Sequence, residues 1–171
     1  MLKHQIVVGT PISVIVAGVI LLAASSAYAG DAEAGATRAT GQFYAALNAM
    51  FTGDVKPMEA IWSHADDVVY LPPTGERLMG WSAVSASWEK QASLKLGGKV
   101  EPKDVHVLVL SPSIAVVTNM ELGSNPNASG GTMQVNIRST KIFRLEDGQW
   151  KVIYDHADPL PKLASDARTG G

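Results

Sequence analysis

The sequence predicts an α+β fold in which helices come first and an antiparallel sheet follows. Apolar residues recur at helical spacing between residues 31 and 94, and strand-like alternation dominates after residue 99. Asp147-Gly148 separates the last two alternating stretches and is a strong signal for a tight hairpin turn. Because no βαβ alternation is present, a parallel sheet is not expected. A curved sheet covered by helices would bury both apolar faces and leave a hollow between them.

Length and composition indicate one packed domain with an appendage. The chain has 171 residues, of which 46% are hydrophobic and 18% charged, so it can build a core. The net charge is -2 and no block of basic residues is present, so nucleic-acid binding is not expected. The absence of cysteine excludes disulfides, thiolate nucleophiles and cysteine zinc sites.

The amino terminus has the pattern of a secretory signal peptide. Lys3 precedes an uncharged stretch over residues 6–24, and small residues occupy the cleavage positions of Ala27-Tyr28-Ala29. The alternative is a retained membrane anchor, although Thr10-Pro11 interrupts the apolar run. We expect a signal peptide at 1–29, a domain at 30–161, a flexible tail at 162–171, and a periplasmic or secreted protein. Contact with a membrane is expected only if the segment stays uncleaved.

Three helices are predicted in the first half of the domain. The first covers residues 31–54, begins at Asp31 as N-cap and stops at Gly53. The second is shorter, within residues 54–67, and tolerates Pro57 in its first turn. The third covers residues 81–94. Its predicted apolar stripe contains Trp81, Val84, Trp88 and Ala92.

Six strand-like stretches complete the domain. Two short ones lie at 68–71 and 77–80, on either side of a Pro-Pro-Thr-Gly turn. Longer ones are predicted at 104–110, 114–122, 132–146 and 149–157. In the third of these six stretches, His106 is expected to occupy an ordinary strand position.

Three stretches together resemble a known family. They are QFYAALNAMFTGD (42–54), DDVVYLPPTGERLMGW (66–81) and IRSTKIFRLEDGQWKVIYDHAD (137–158). Their combination resembles the SnoaL-like branch of the nuclear transport factor 2-like superfamily, over roughly residues 42–158. The resemblance implies a cone-shaped α+β barrel, with three N-terminal helices packed on a strongly curved, mostly antiparallel sheet. It also implies a pocket in the cone and a homodimer formed through the outer sheet face.

The resemblance does not settle the function, because fold alone does not imply activity. Some members are cofactor-free enzymes, such as ketosteroid isomerase, scytalone dehydratase, limonene-epoxide hydrolase and polyketide cyclases, and many have no known activity. None of their catalytic constellations can be placed on this sequence position by position. Whether the protein is an enzyme therefore stays open at this point.

Strand parity selects His156 as the candidate proton carrier. In the last strand Trp150, Val152, Tyr154 and His156 share one face, which we expect to be concave, and Asp155 faces away. Adjacent strand residues cannot form a side-by-side pair unless a bulge intervenes. An inward imidazole can act as a general acid or base near neutral pH. The alternative is an imidazole that only hydrogen-bonds the backbone.

Two further charged features have weaker interpretations. Arg138 points either into the pocket, where it would need a carboxylate or an anionic ligand, or to solvent. The histidines and aspartates of residues 63–67 and 155–158 could be imagined as a metal site. Their spacing matches no zinc motif, so no metal and no cofactor are predicted.

Aromatic residues are expected to form the wall of an apolar pocket for a small hydrophobic molecule. The predicted pocket residues are Tyr44, Trp62, Tyr70, Trp88, Met120, Arg138 and Tyr154. The sequence thus favours a secreted pocket protein, with acid/base catalysis of the isomerase, lyase or hydrolase type as one option. The alternatives are a non-catalytic ligand-binding protein and a protein-interaction module.

Overall fold

The computed structural model describes residues 13–126 and 131–160, with side chains from residue 28 onward. Residues 1–12 and the predicted tail, 162–171, lie outside this range. Three helices pack on the concave side of one six-stranded sheet, as the sequence predicts. Within the described residues no helix is long and apolar enough to cross a membrane.

The first helix, α1, covers Ser13–Met50 and supplies most of the helical layer. Its predicted start at Asp31 is wrong, because the helix continues without a break through residues 29–31. Its end is as predicted, with Gly53 at φ 100° just beyond it. One face of this helix is apolar and buried against the rest of the domain. Its buried members are Ala36, Ala39, Phe43, Leu47 and Met50.

The second and third helices are short and close the layer. Helix α2 covers Lys56–Ile61, has a proline in its first turn and buries Met58 and Ile61. Helix α3 covers Trp81–Ser93 and buries Val84, Trp88 and Ala92 from its predicted stripe. The third turn of α3 brings Trp88 against Phe43 of α1, with ring centroids 6.5 Å apart.

The sheet has the strand order β2-β1-β6-β5-β4-β3. Its strands are β1 (Val69–Leu71), β2 (Leu78–Met79), β3 (Lys99–Ser111), β4 (Ile114–Pro126), β5 (Thr132–Glu146) and β6 (Gln149–Pro159). All pairs are antiparallel except β1 with β6. The predicted hairpin is confirmed, with both Asp147 and Gly148 at positive φ between β5 and β6.

The β3–β4 pair is closely packed near its open end. A Cβ on Gly123 would lie 2.0 Å from the Lys99 carbonyl oxygen, so no larger residue fits there without moving the neighbouring backbone. A register shift after Lys103, with Asp104 at φ 53°, bends β3. Such irregularities increase local twist and help a sheet to curve around its helices.

A bulge in β6 decides which of its side chains face inward. Ile142 of β5 pairs with Tyr154, but the next residue, Phe143, pairs with Val152, so Ile153 is an extra residue on β6. One extra residue reverses the alternation of every residue beyond it. The segment after α2 stabilises the bulge, because the Ser63 N–H donates to the carbonyl oxygen of Val152 at 3.0 Å.

Candidate functional site

A fully buried lysine lies at the centre of the concave face. Lys141 of β5 is 0% exposed, and its Nζ lies 2.9 Å from Oε1 of Glu121 and 3.2 Å from Oδ1 of Asp155. Asp155 is its direct cross-strand partner on β6. Nζ also donates to the Ser139 hydroxyl at 2.5 Å. An ammonium removed from water must be paired and hydrogen-bonded in this way.

Helix α1 completes this cluster from above. The Tyr44 hydroxyl donates to Glu121 at 2.9 Å and accepts from Asn119 at 2.7 Å. It also accepts from Lys141 Nζ at 3.1 Å. The Phe43 ring covers the ammonium, with its centroid 4.3 Å from Nζ. Tyr44 therefore anchors α1 to the sheet through the charged groups.

The pKa values of this cluster are strongly perturbed. Burial raises the pKa of Asp155 to about 6, although the attraction of Lys141 opposes the rise and the proximity of Glu121 adds to it. Burial alone would lower the pKa of Lys141, but Asp155 and Glu121 outweigh it and raise that pKa above its ordinary value. Burial likewise raises the pKa of Tyr44. Lys141 is thus held as a cation, while Asp155 is close to its titration point at neutral pH.

An interior cavity of about 150 Å³ lies beside the cluster. Two acidic residues, Glu121 and Asp155, line it together with aromatic rings from α1, from the turn after α1, from β1 and from α3. The rings are those of Phe43, Phe51, Tyr70 and Trp88. Its outer rim includes Pro73 and Met133, whose side chain is 52% exposed. The cavity thus runs from the surface inward to the two carboxylates.

Two buried indole donors on the concave side have no hydrogen-bond partner among the described residues. They are the Nε1 atoms of Trp88 and Trp62, and both tryptophans are 1% exposed. The Trp88 ring stacks on Tyr70 with centroids 4.5 Å apart. Because neither Nε1 atom has appreciable accessible surface, the two donors belong to the packed core and do not face the cavity.

A second, larger concavity lies on the outside of the helices. It has a volume of about 600 Å³ and is bounded by α1, α2 and the β5–β6 turn. Arg38 and Lys151 lie on its walls, and the Lys151 ammonium already donates to the Ala60 oxygen at 2.6 Å. It contains neither of the buried carboxylates. The smaller interior cavity is therefore the better candidate site.

Four of the sequence-predicted pocket residues lie on the concave side. Tyr70 and Trp88 line the cavity, and Tyr44 belongs to the lysine cluster next to it. Trp62 is 1% exposed and packs behind Tyr70, with ring centroids 5.9 Å apart, so it supports the wall without lining it.

His156 does not face the cavity, so its predicted inward orientation is wrong. The bulge at Ile153 turns Asp155 inward and His156 outward. The imidazole side chain is 39% exposed, and its Nε2 lies 3.0 Å from the Asp158 carboxylate on the outer face. Its role as proton carrier stays a prediction, but the group that the bulge presents to the cavity is the carboxyl of Asp155.

The predicted positions of Tyr154, Met120 and Arg138 in the pocket are also wrong. The same bulge places Tyr154 on the outer face. Met120 and Arg138 pair across β4 and β5 there, because their strand neighbours are the buried, inward ones. The Arg138 side chain is 65% exposed and lies 3.6 Å from Asp158.

Lys141, Glu121 and Asp155 are the residues that the sequence interpretation missed. Ser139, Lys141 and Phe143 alternate on one face of β5, and Asn119 and Glu121 do so on β4. Polar residues at alternate positions normally indicate a solvated face. One residue in the sequence could have indicated that this face is buried. Phe143 is aromatic and lies on the same face of β5 as Lys141, and both side chains are fully buried.

The histidines and aspartates of residues 63–67 and 155–158, which the sequence analysis compared with a metal site, lie in different environments. His64 stacks on Trp81 at 4.1 Å and its Nε2 is 2.9 Å from the Glu59 oxygen, whereas Asp67 forms a double contact with Arg144. Across the side chains that the structure describes, no three histidine, aspartate or glutamate residues converge as a metal site would require.

A curved antiparallel sheet, closed by three helices over an interior cavity, defines the class of cone-shaped α+β proteins. The family model described as a SnoaL-like domain matches residues 37–159, and the chain belongs to this family. The resemblance drawn from the sequence is thereby confirmed. No curated protein matches the chain.

Solved structures from several bacteria share this fold. A protein from Streptomyces avermitilis, proposed to be a dehydratase of the NTF2-like family, is 24% identical with a TM-score of 0.67, and the match covers 77% of this chain and 99% of that one. An NTF2-like protein of unknown function from Pseudomonas putida is 20% identical with a TM-score of 0.64, over 78% and 91%.

A third structure is named for a different role. It is a protein from Thiobacillus denitrificans, proposed to be a calcium/calmodulin-dependent protein kinase type II association domain. Its identity is 25% and its TM-score 0.61, and the match covers 72% of this chain and 93% of that one. Neighbours with such different names support the fold, but no single function.

Proposed function

We propose that the domain binds a small organic molecule in the interior cavity and exchanges a proton with it through Asp155. The observation that carries this proposal is a carboxyl group with a pKa of about 6 in the wall of an aromatic cavity. General acid/base catalysis is most efficient when the pKa of the catalytic group lies near the working pH. No cofactor takes part in this proposal.

The neighbours of Asp155 define the remaining roles. Lys141 is kept protonated by two carboxylates, so it acts as a fixed positive charge and not as an amine nucleophile. It stabilises the ionised form of Asp155 after a proton has left. Because most of the side chains that line the cavity are apolar, these charges interact more strongly than they would in water.

The size of the cavity limits the ligand. An apolar cavity of about 150 Å³ accommodates a molecule of the size of benzene, and the volume here is about 150 Å³. We therefore expect single-ring compounds to bind and steroid-sized compounds to be excluded unless the rim at Met133 opens.

Filling the cavity tests the binding proposal. Ala157 lines the cavity and is buried, so Ala157→Leu places additional atoms inside it. We expect this variant to weaken binding of benzyl alcohol, or of a ligand that copurifies, by at least about tenfold, as measured by calorimetry. His156→Ala is the matched control, because its side chain lies on the outer face and the variant should bind as the parent does.

Turnover of the copurifying ligand tests the proton transfer. Loss of a positioned acid or base costs about 10²–10⁴-fold in rate, so Asp155→Asn should lose turnover by about this factor at saturating ligand. His156→Ala should keep the turnover of the parent. Loss of turnover in His156→Ala alone would instead support the proton carrier predicted from the sequence.

We also propose that the outer face of the sheet joins two copies of the chain. One continuous row of apolar side chains crosses four strands on this face. It consists of Leu108, Val116, Ile142 and Tyr154. Leu108 is 53% exposed, and Leu110 and Leu122 add exposed apolar area. Contiguous apolar patches of this kind mark protein interfaces. One similar structure is itself named an association domain.

The mass of the particle in solution tests this second proposal. Leu108→Glu should convert a dimer to a monomer in light scattering coupled to size exclusion, because a charge in an apolar interface is not compensated. Leu94→Glu is the control, since Leu94 is 58% exposed at the end of α3 and away from the sheet. A parent protein that is monomeric at 100 μM contradicts the proposal.

The amino-terminal pattern is the only support for export. On that pattern we propose that residues 1–29 direct the chain out of the cytoplasm and that the folded domain acts in the periplasm.

A further inference from the structure

The buried cluster contains one positive charge and two carboxylates. Lys141 is the only basic side chain among the described residues that pairs with Glu121 or Asp155. When both carboxylates are ionised, the cluster therefore has a net charge of -1. A buried charge without a counter-charge is costly, and it is relieved by taking up either a proton or a cation.

The arrangement of these charges is asymmetric about the cavity. Glu121 and Asp155 line it, but Lys141 does not, because its ammonium lies behind them, against Ser139 and the Phe43 ring. A molecule entering the cavity thus meets the two carboxylates and the faces of aromatic rings. Carboxylates and aromatic faces both attract cations.

The two carboxyl residues are the only acidic side chains among the described residues that line the cavity, and its other lining side chains are neutral. A bound molecule therefore meets negative charge on one side and neutral, mostly apolar groups elsewhere.

We propose that this cavity selects a small organic cation, a protonated amine of single-ring size, over neutral or anionic molecules of the same shape. This inference rests on the proposed small-molecule function. The bound ammonium would supply the positive charge that the cluster lacks. A carboxylate ligand is rejected, because it would add a third negative charge to the same buried volume.

The selectivity should depend on pH through Asp155. Groups facing this carboxyl are Tyr44 from α1, Tyr70 from β1, Glu121 from β4, and Ser139 and Lys141 from β5. Lys141 stays charged across the neutral range, because its pKa is raised. Protonation of Asp155 in mild acid therefore removes the excess negative charge and with it the preference for a cation.

Calorimetric titration with three matched probes tests the inference. Benzylamine, benzyl alcohol and benzoate have similar shapes but are cationic, neutral and anionic at pH 7.5. We expect benzylamine to bind at least about tenfold more tightly than benzyl alcohol, and benzoate to bind most weakly, since a charge-assisted hydrogen bond is about twice as strong as a neutral one. At pH 5 the advantage of benzylamine should fall to about threefold or less.

Variants at the two carboxylates show which group causes the preference for a cation. Asp155→Asn should lose the preference for benzylamine over benzyl alcohol, whereas His156→Ala should keep this preference. If Asp155→Asn does not fold by circular dichroism, Glu121→Gln provides the same test. Equal binding of benzylamine and benzyl alcohol by the parent overturns the charge inference and leaves the pocket intact. Failure of all three probes to bind overturns the pocket itself.

Discussion

Lys141→Met should lower the free energy of unfolding by about 3–5 kcal/mol at pH 7.5, which is the usual cost of removing one partner from a buried ion pair. The methionine fills most of the same volume, so the loss is electrostatic. It leaves Glu121 and Asp155 buried close together with no counter-charge, and it deprives the Tyr44 hydroxyl of one donor. Chemical denaturation followed by circular dichroism measures the change.

Two comparison variants separate charge from packing in this experiment. Lys103→Met removes an exposed ammonium 3.9 Å from Glu101 and should cost no more than about 0.5 kcal/mol. Adding Glu121→Gln and Asp155→Asn to Lys141→Met removes the uncompensated charges and should recover at least about half of the loss. A Lys141→Met protein within about 1 kcal/mol of the parent would mean that the lysine is not buried among carboxylates.

Between pH 4.5 and pH 7.5 the protein should lose about 2 kcal/mol of stability. In the folded state burial raises the pKa of Asp155 from 3.8 to about 6. The folded state therefore holds its proton more tightly than the unfolded chain does, so this contribution is complete below pH 3.8 and is lost as the pH rises from 3.8 through about 6. The whole shift corresponds to about 3 kcal/mol, of which about 1 kcal/mol is already lost at pH 4.5.

Asp155→Asn should abolish most of this pH dependence, because the amide resembles the protonated carboxyl. We expect the variant to be more stable than the parent by up to about 3 kcal/mol at pH 7.5 and to differ by less than about 1 kcal/mol at pH 4.5. A gain in stability on removing a functional group is typical of active and binding sites. Urea denaturation at five pH values across this range measures the slope.

Surface carboxyls do not interfere in this window. The pKa values of three surface carboxyl groups are lowered by a neighbour: Asp67 by Arg144, Glu76 by Thr74 and Glu101 by Lys99. The contributions of these three groups to stability are therefore lost only as the pH falls below about 4. Asp158→Asn, on the outer face, is the control and should keep the slope of the parent. A parent protein of constant stability from pH 4.5 to 7.5 would show that Asp155 is not desolvated.

Most of the fold could be predicted from local patterns. The apolar stripe of α3, the hairpin at Asp147-Gly148 and the long alternation of β5 each depend on residues close in sequence, and each is found as predicted. The start of α1 could not be predicted in this way, because an N-cap residue such as Asp31 also fits inside a helix when the residues before it are good helix formers.

The site was harder to predict, because it depends on one inserted residue. Parity predicts an inward His156, and this would hold in a regular strand. The bulge at Ile153 is specified by the pairing with β5 and by the end of α2, neither of which is local to β6. Once the bulge is known, Asp155 must face Lys141.

Hydrophobicity also favoured the wrong face of the sheet. Ile114, Val116, Met120 and Leu122 form the more uniformly apolar side of β4, yet they face outward, whereas Asn119 and Glu121 are buried. Alternation reveals that two faces differ, but not which one the helices cover. In this protein the inner face also contains ions, because Lys141 pairs with both carboxyl groups when strands β4, β5 and β6 bring them together.

The sequence by itself determined the order of helices and strands and the hairpin, since each follows from spacing along the chain, and three stretches of it resembled the family. Of the aromatic residues in the cavity wall it indicated only Tyr70 and Trp88. Only the tertiary structure decided that Lys141, Glu121 and Asp155 meet beside a cavity while His156 points away. The physical reason is that pairing across strands and one bulge set the direction of these side chains, and burial then sets their charge.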